Sequence, residues 1–597
     1  MPSIESQASR VEATVYFSPK LRSITINQFG NLLRDINPTG DRGYGLDDRL
    51  IIRSDEEKND ETRAHGVLHN TYVANPPMIA SFAYRHTINT PAASCELRIK
   101  ARGPTAHLLT ETLQPNLWID ISISQHGTSK NTKNHIMRGR IQSLSIETSA
   151  GGSLNKSSVT VFKLRAMSFG HILSQTQVYY DIVSEGEKLA NAYPRITITP
   201  GNNFSVEDTL RTLLVGFLKE GDEGTGRPCW KLPESLPNNR SNLSAGRSST
   251  ADGPYFIDAL TYLPDNDTRA IKNYPKRVNS TALSFLSPVR GGETLWSVLQ
   301  RYNDNPVTDL YTDLVDATTG QYLAEGQDTS PENTAMAVIV RDKPFYTETT
   351  ASGDIEDSAW SNEKESPESG YLPVYHITFN DIVERRVVRS DEARYNAFFV
   401  APIFLQGLTG TLLDLQSPLW DLEDIQHNGL RAMRYVTPYI PRIHDGEQSY
   451  REAISIYRRR LRDFMCLSAD YYSGTITIAG GRPDIRVGGK LVLSETVEGP
   501  TGGKSKLEGR RSYSRSLGQL SLVDADATDF SEIIRYYGEY EERYYIESVA
   551  HSWNLLGGMQ TNLTVSRGLP GGDHGRLIKL QQKIRSYRIG NTKQSGN

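Results

Sequence analysis

The stretch that decides the fold is YYIESVAHSWNLLGGMQTNLTVSRG, Tyr544 to Gly568. It reads as two strands joined by a turn that ends in Gly557 and Gly558. In the second strand Met559, Thr561, Leu563 and Val565 alternate with Gln560, Asn562, Thr564 and Ser566. This is the period-two pattern of a sheet with one packed and one wet side. The wet side faces either bulk solvent or an enclosed aqueous space, and both environments produce the same alternation.

Working outward, a chain of 597 residues has the length of several cores, roughly four at about 150 residues each. Its 66 Lys plus Arg against 70 Asp plus Glu, a formal charge of -4, give no global reason to expect a nucleic-acid binder or a polybasic membrane adaptor. No run of about 18 apolar residues occurs. The opening MPSIESQASRVEATVYF has neither a basic n-region nor an apolar h-region. The expectation is a chain with no membrane anchor or secretory signal, made in a cytoplasm. Cys95, Cys229 and Cys466 match no CxxC spacing and read as buried free thiols. The 30 tyrosines tilt the composition toward strands and broad contact surfaces.

The N-terminal third is strand text: CELRIKA (95–101), LWIDISIS (117–124), HIMRGRIQSLSIE (135–147) and SSVTVFKLRAMS (157–168) are alternating, β-branched and separated by Gly, Asn and Ser turns. Four short strands at this spacing suggest a small antiparallel barrel or sandwich. A helix is expected from Phe204, with Ser205 as N-cap and Val206, Leu210, Leu213, Leu214 and Phe217 on one stripe. Residues 222–253 read as a long surface loop. GGETLWSVLQRYNDNP carries a second helix with Leu295, Val298, Leu299 and Tyr302 in a stripe, stopped by Asn305-Pro306. AVIVRDKPF (337–345) reads as a buried strand, and 351–370, with six acids and one Lys, as a solvated loop. Strands resume at 374–390 and 396–402. The strongest amphipathic helix, 449–466, puts Leu461 and Phe464 on its apolar face, and Arg458, Arg459, Arg460 and Arg462 are expected to point outward. Strands return at 475–480 and 484–494, then a Gly, Ser and basic stretch at 498–517, then the hairpin.

Little chemistry emerges. His65 and His69 are four apart, but RAHGVLHN has a central Gly and no Glu partner for a zinc site. GPTGGKSK (499–506) lacks the Gly six positions before Lys504 that a phosphate-binding loop requires, where Glu498 stands. Glu293 and Asp304 flank Trp296 and could form a carboxylate pair for glycoside hydrolysis, which needs proximity in space rather than fixed spacing. GGETLWSVLQRY resembles the first dozen residues of a LysM peptidoglycan-binding repeat and then departs from it. The expectation is no catalytic residue, no metal and no cofactor, and the alternative is a cell-wall-binding or peptidoglycan-degrading protein using the segment near Trp296.

Taken in order, LWIDISIS, RGRIQSLSIE, VTVFKLRAMSFGHIL, GETLWSVLQRYNDNPVTDLYTDL, AVIVRDKPF, GRPDIRVGGKLVL and RYYIESVAHSWNLLGGMQTNLTVSRG resemble the baseplate central hub proteins of contractile-tailed phages and related contractile injection systems. The resemblance spans roughly residues 90 to 570. It implies a mainly β chain with α+β insertions: two similar tail-tube-like antiparallel β-barrel domains plus smaller helical and mixed domains. The corresponding limits are 1–195 for the first barrel and 196–345 for a mixed middle domain. Residues 346–405 would be a linker with strands entering the second barrel, 406–466 a helical excursion, and 467–597 the second barrel and tail. It also implies a non-enzymatic homotrimer in the virion's tail baseplate, assembled in the host cytoplasm. That trimer would join a hexameric tail tube or its initiator above to a trimeric central spike below. Tape-measure and baseplate wedge proteins would be further partners, and DNA only passing cargo. Gln560, Asn562, Thr564 and Ser566 would then face the axial channel, with Arg567 at its rim. Uncharged amides and hydroxyls there stay hydrated without gripping a passing polyanion as a row of Arg would.

Overall fold

Alternating β-branched text becomes strands wherever one row can be buried, and the molecule is built on this rule. The computed structural model describes chiefly residues 9–16, 49–54, 78–102, 104–125, 132–149, 159–178, 255–264, 293–303, 308–323, 329–343, 347–349, 355–357, 373–402, 418–437, 461–494 and 541–570, with shorter runs between 210 and 237 and near 458 and 583–589. The first unit comprises β1 (Ser9–Tyr16), β2 (Arg49–Arg53), β3 (Met78–Thr87), β4 (Ser94–Arg102), β5 (Trp118–Gln125), β6 (Thr132–Ser149) and β7 (Val159–Ser168). Their pairings run in the circuit β3-β4-β7-β6-β5-β1-β2, and one residue pair, Arg53↔Met78, returns it to β3. Inside lie Val11, Ala13, Ile79, Leu97, Ile99, Ile119, Ile121, Phe162 and Leu164, all nearly inaccessible.

A middle region follows. β8 (Gln177–Val178) pairs with the later β12 (Glu293–Thr294), and β9 (Lys219–Glu220) with β10 (Arg227–Pro228). β11 (Leu260–Pro264), β13 (Thr308–Asp316) and β14 (Thr334–Asp342) form a three-stranded sheet with β14 in the centre. The helix Leu295–Tyr302 is capped by Thr294, whose hydroxyl accepts from the Ser297 amide. It buries Leu295, Trp296, Val298, Leu299 and Tyr302 against Met336, Val338 and Val340 of β14. Of the helix expected from Phe204, Leu210, Leu213, Leu214 and Leu218 are buried in this same core, whereas Ser205, Val206 and Phe217 fall outside the described residues. The expected solvated loop at 351–370 contributes a strand: β15 (Thr347–Thr349) pairs with β16 (Ile355–Asp357).

The second unit comprises β17 (Val374–Thr378), β18 (Ile382–Val388), β22 (Tyr472–Ile478), β23 (Lys490–Ser494), β24 (Glu541–Asn554) and β25 (Gly558–Pro570). β17 and β18 are the halves of one bent strand, separated by a 3-10 turn at Phe379–Asp381 that a Thr378–Asp381 capping box closes. The first half pairs with β23 and the second with β22, completing the order β17-β23-β24-β25-β22-β18. The remaining strands, β19 (Ala397–Pro402), β20 (Leu419–Asp421), β21 (Ala432–Thr437) and β26 (Tyr587–Ile589), form a separate four-stranded sheet in the order β21-β19-β20-β26. Residues 396–402, expected to enter the second barrel, therefore belong to this sheet. The stretch expected to be a helical excursion contains β20, the short helix Leu422–Asn428 and β21.

β3 and β24 join the two units. Seven residue pairs, from Ser548↔Thr87 to Asn554↔Ser81, form an antiparallel ladder that makes one 13-stranded sheet of both. The units also match residue by residue. Leu97 lies opposite Leu164 in the first and Ile476 opposite Leu563 in the second. The β6–β7 ladder has a register shift between Ile141 and Ser143, and the β24–β25 ladder has one between Ile546 and Ser548. Beside these bulges the Ile141 amide donates to Leu117 and the Ile546 amide to Gly489, while their carbonyls accept from Asn116 and Gly488. The β3–β4 shift at Ile79/Ser81 is repeated in β18–β22 at Ile382/Glu384. Thus β3, β4, β5, β6 and β7 correspond, in chain order, to β18, β22, β23, β24 and β25. Bulges fix register and local bend, so five shared strands with two shared bulges make this one unit used twice.

Candidate functional site

In β25 Gln560, Asn562 and Thr564 are exposed, whereas Ser566 is half-buried with its hydroxyl oxygen shielded from solvent. Met559, Leu563 and Val565 are buried at 6%, 1% and 1% exposure. Burying each of these side chains contributes about 1.5 to 3 kcal/mol, enough to hold the register against a one-residue slip. Thr561 also points inward, but its hydroxyl meets Nδ1 of His551 at 3.0 Å and the Arg482 amide at 2.9 Å. The row continues sideways without charge. Thr475 and Thr477 of β22 lie opposite Thr564 and Asn562, and the Thr477 hydroxyl donates to Oδ1 of Asn562 at 2.7 Å. On the other flank Ser552 and Ala550 of β24 lie opposite Gln560 and Asn562.

The same face crosses the β3–β24 ladder into the first unit and changes character. At the positions of Gln560, Asn562, Thr564 and Ser566 stand Val161, Lys163, Arg165 and Met167. Arg98 and Glu96 replace Thr477 and Thr475. Lys163 pairs with Glu147, and Arg98 lies 3.5 Å from Glu96. Arg85 and Lys100 are also exposed. The uncharged rows of β25, β22 and β24 thus adjoin charged, partly compensated rows in the first unit, while at the far edge of the second unit β18 places the paired Glu384 and Arg386 opposite Thr477 and Thr475.

Arg567 does not extend into solvent from a rim. It adopts a left-handed backbone (φ 59°), donates to the Phe464 carbonyl at 2.7 Å and lies 3.5 Å from the centre of the Phe464 ring. It fastens the end of the hairpin to the residues after β21. The outward arginine cluster is likewise corrected in part: Leu461 and Phe464 are buried as expected, but so is Arg462, whose guanidinium contacts the Asp463 carboxylate at 2.7 Å. Helical periodicity assigns faces by hydropathy and cannot show that a neighbouring acid makes a buried Arg tolerable. Arg459 is exposed, and Arg460 lies outside the described residues.

Beneath the joined sheet, charges tie the three regions together. Arg486 of the second unit donates to Asp313 of β13 at 2.7 Å and to the carbonyl of His135 in β6. Tyr545 donates to Asp309 of β13. In the first unit Arg138 makes a two-pronged pair with Asp120, 2.9 Å at each oxygen, and Tyr16 donates to the same carboxylate at 2.8 Å. Burial opposes ionisation of Asp120, but Arg138 and His135 override it and hold the carboxyl well below the usual range. His551, stacked on Tyr84 across the ladder with ring centres 5.7 Å apart, is pushed down to about 4 by burial. These contacts act as clamps: Arg486, Arg138, Tyr16 and Tyr545 each donate to a carboxylate of another strand.

The alternative site near Trp296 is not assembled. Trp296 is 5% exposed inside the middle core, so its ring has no free face for a sugar, and Glu293 is paired with Arg301. Asp304, His65, His69 and 498–517 lie outside the described residues. Cys95 and Cys466 are buried free thiols. Among the described residues no group of three or more His, Cys, Asp or Glu could hold a metal, and no helix is long and apolar enough to cross a membrane.

No family model and no curated protein matches the chain. Among solved structures it is similar to a tail protein from Neisseria meningitidis MC58, at 11% identity and TM-score 0.36, covering 82% of this chain and 92% of that one. It is similar to the 43 kDa tail protein of prophage MuSo2 from Shewanella oneidensis, at 9% identity and TM-score 0.35, covering 82% and 94%. The E. coli c3393 protein, a component of the type VI secretion system, aligns at 9% identity and TM-score 0.30 over 83% of this chain and 75% of its own.

Proposed function

We propose that this chain is a structural hub of a contractile tail, a homotrimer that joins a six-fold tube to a three-fold spike and lines the axial channel with the wet face of its joined sheet. The observation that carries this reading is the duplicated unit with its head-to-tail joint. The joint uses the β3 position of one unit and the β24 position of the other, which are different positions in the repeat, so the contact is heterologous and can be propagated into a ring. Three chains bring six such units around an axis while the ring's true symmetry stays three-fold. The wet face then turns inward, so that the uncharged row of Gln560, Asn562, Thr564 and Ser566 alternates around the channel with the first unit's charged row, whose Lys163 and Arg98 are partly compensated by Glu147 and Glu96 and so grip a passing polyanion less than bare cations would. The role is non-catalytic, in the tail baseplate.

Electron microscopy of the assembled tail tests the reading. Three copies forming a ring of six units between tube and spike, with Gln560, Asn562 and Thr564 toward the axis, is the expected result. Six copies at that level, or those side chains on the outer circumference, is incompatible with it. In a zymogram against peptidoglycan the purified protein should clear nothing beyond buffer.

A further inference from the structure

The repeat leaves two edges open, and they are the counterparts of the two edges that form the joint inside the chain. In the second unit one side of β24 pairs with β23 over Glu541–Tyr545, and the rest of that side, from Ser548 to Asn554, takes β3. In the first unit the same side of β6 pairs with β5 up to Arg140, with one more hydrogen bond pair at Ile141. From 142 to 149 this side has no strand partner among the described residues. The counterpart of β3 is β18, whose side away from β22 is also unpaired among the described residues. Both edges are exposed: Ile146 at 43%, and Val383 and Val388 at 64% each. Long unpaired edges with exposed apolar side chains template the addition of another strand.

We propose that β6 of one copy and β18 of the next pair antiparallel in the register of the internal β3–β24 ladder. This specifies the contact that the proposed ring requires and rests on that reading. The equivalences set the pairs. Ala550↔Arg85, His551↔Tyr84 and Ser552↔Ala83 of the internal joint become Ser145 with Val388, Ile146 with Val387, and Glu147 with Arg386. The side chains agree with this register. Glu147 meets Arg386 with opposite charge, on the wet face. Ile146 meets Val387 on the packed face, where His551 stacks on Tyr84 in the internal joint. Glu147 and Arg386 are each exposed and, among the described residues, paired to neighbours on their own sheet, Lys163 and Glu384, so docking brings together charges that are already poised. The occupant is a second copy because this chain carries both halves of the joint and its internal β3–β24 ladder pairs their counterparts.

Disulfide trapping tests the register. In a Cys229→Ser background, Glu147→Cys combined with Arg386→Cys should give reducible dimers and trimers on mild oxidation, whereas either single substitution should not. Directly opposed residues in an antiparallel ladder lie within the Cα separation a disulfide needs, and residues one step off point to opposite faces. Glu147→Cys with Val387→Cys should therefore give on the order of tenfold less product. Mass photometry of the unmodified protein separates the two levels of the argument. A trimer that traps at 147/386 supports the ladder. A trimer that does not trap there, or that traps equally well at 147/387, overturns the ladder and leaves the hub reading standing. A monomer at every concentration, and in the assembled tail as well, overturns both.

Discussion

The two units share strand order, pairing and bulges, yet they spend the same backbone positions on different chemistry. Where the second unit places Asn562 and Thr564, the first places Lys163 and Arg165; where the second has His551 in the packed layer, the first has Ile146 on an open edge. The interior differs as well. The first unit buries the Asp120–Arg138 ion pair, and at the position of Asp120 the second has Val492. Backbone hydrogen bonding can thus conserve a unit while its side chains diverge, because register depends on bulges and on one buried row rather than on the identities of the wet row.

This comparison can be broken or sharpened by measurement. The largest effect is expected for Asp120→Ala, which strands the buried Arg138 charge and should cost about 3 to 5 kcal/mol on urea denaturation. A loss below about 1 kcal/mol would mean that Arg138 finds water or another acid. Val492→Ala, a packing change alone, should cost less. Leu164→Ala and Leu563→Ala occupy equivalent, inaccessible positions and should each cost about 2 to 5 kcal/mol. Losses differing by more than that spread would show that the two cores are not packed alike.

Acid should act through the buried imidazoles of both units. His551 is held at about 4 by burial, against roughly 6.5 in the unfolded chain. The unfolded state therefore takes up the proton first. Stability is fully present above pH 6.5, falls as pH drops toward 4, and is then constant, for a total contribution of about 3 kcal/mol. His86 and His135 are lowered in the same direction, chiefly by burial, and share in the loss. His551→Gln should reduce the difference in stability between pH 7 and pH 4.5, and an unchanged difference would remove His551 from the account. The smallest effect is expected where the wet rows are exchanged. Thr564→Arg, which copies the first unit, should stay within roughly 0.5 kcal/mol. A loss of 2 kcal/mol or more would show that the row is packed in the isolated protein.

Much of this was legible in the sequence. Period-two alternation located β4, β5, β6, β7, β22 and β25, and the stripe in LWSVLQRY located its helix. The repeat was not legible residue by residue, because its evidence is in bulges and hydrogen bonds: nothing in MQTNLTV and TVFKLRA shows that Leu563 and Leu164 are counterparts. Nor does hydropathy say which sheet a strand will join. NAFFVAP reads as well for the second unit as for the small sheet it enters, where Phe398 and Val400 pack with Leu419. The open edges are illegible for a related reason: SLSIET and VERRVV alternate like any strand, and only the hydrogen-bonded neighbours show that one side has no strand partner among the described residues. The exposed isoleucine and valines were the available signal.

The β3–β24 ladder also sets a timetable. The hydroxyls of Thr87 and Ser548, 461 positions apart, meet at 3.0 Å across it. Chains emerge from the ribosome at about 5 to 20 residues per second, so the edge of β3 waits roughly half a minute to a minute and a half for its partner to be synthesised. Throughout that interval the nascent first unit carries an extra open edge beside Phe82 and Tyr84, and any chain that stops before Glu541 keeps it permanently. Truncated products should therefore be the ones that aggregate, and the C-terminal hairpin acts as the last stitch that makes the N-terminal unit safe to release.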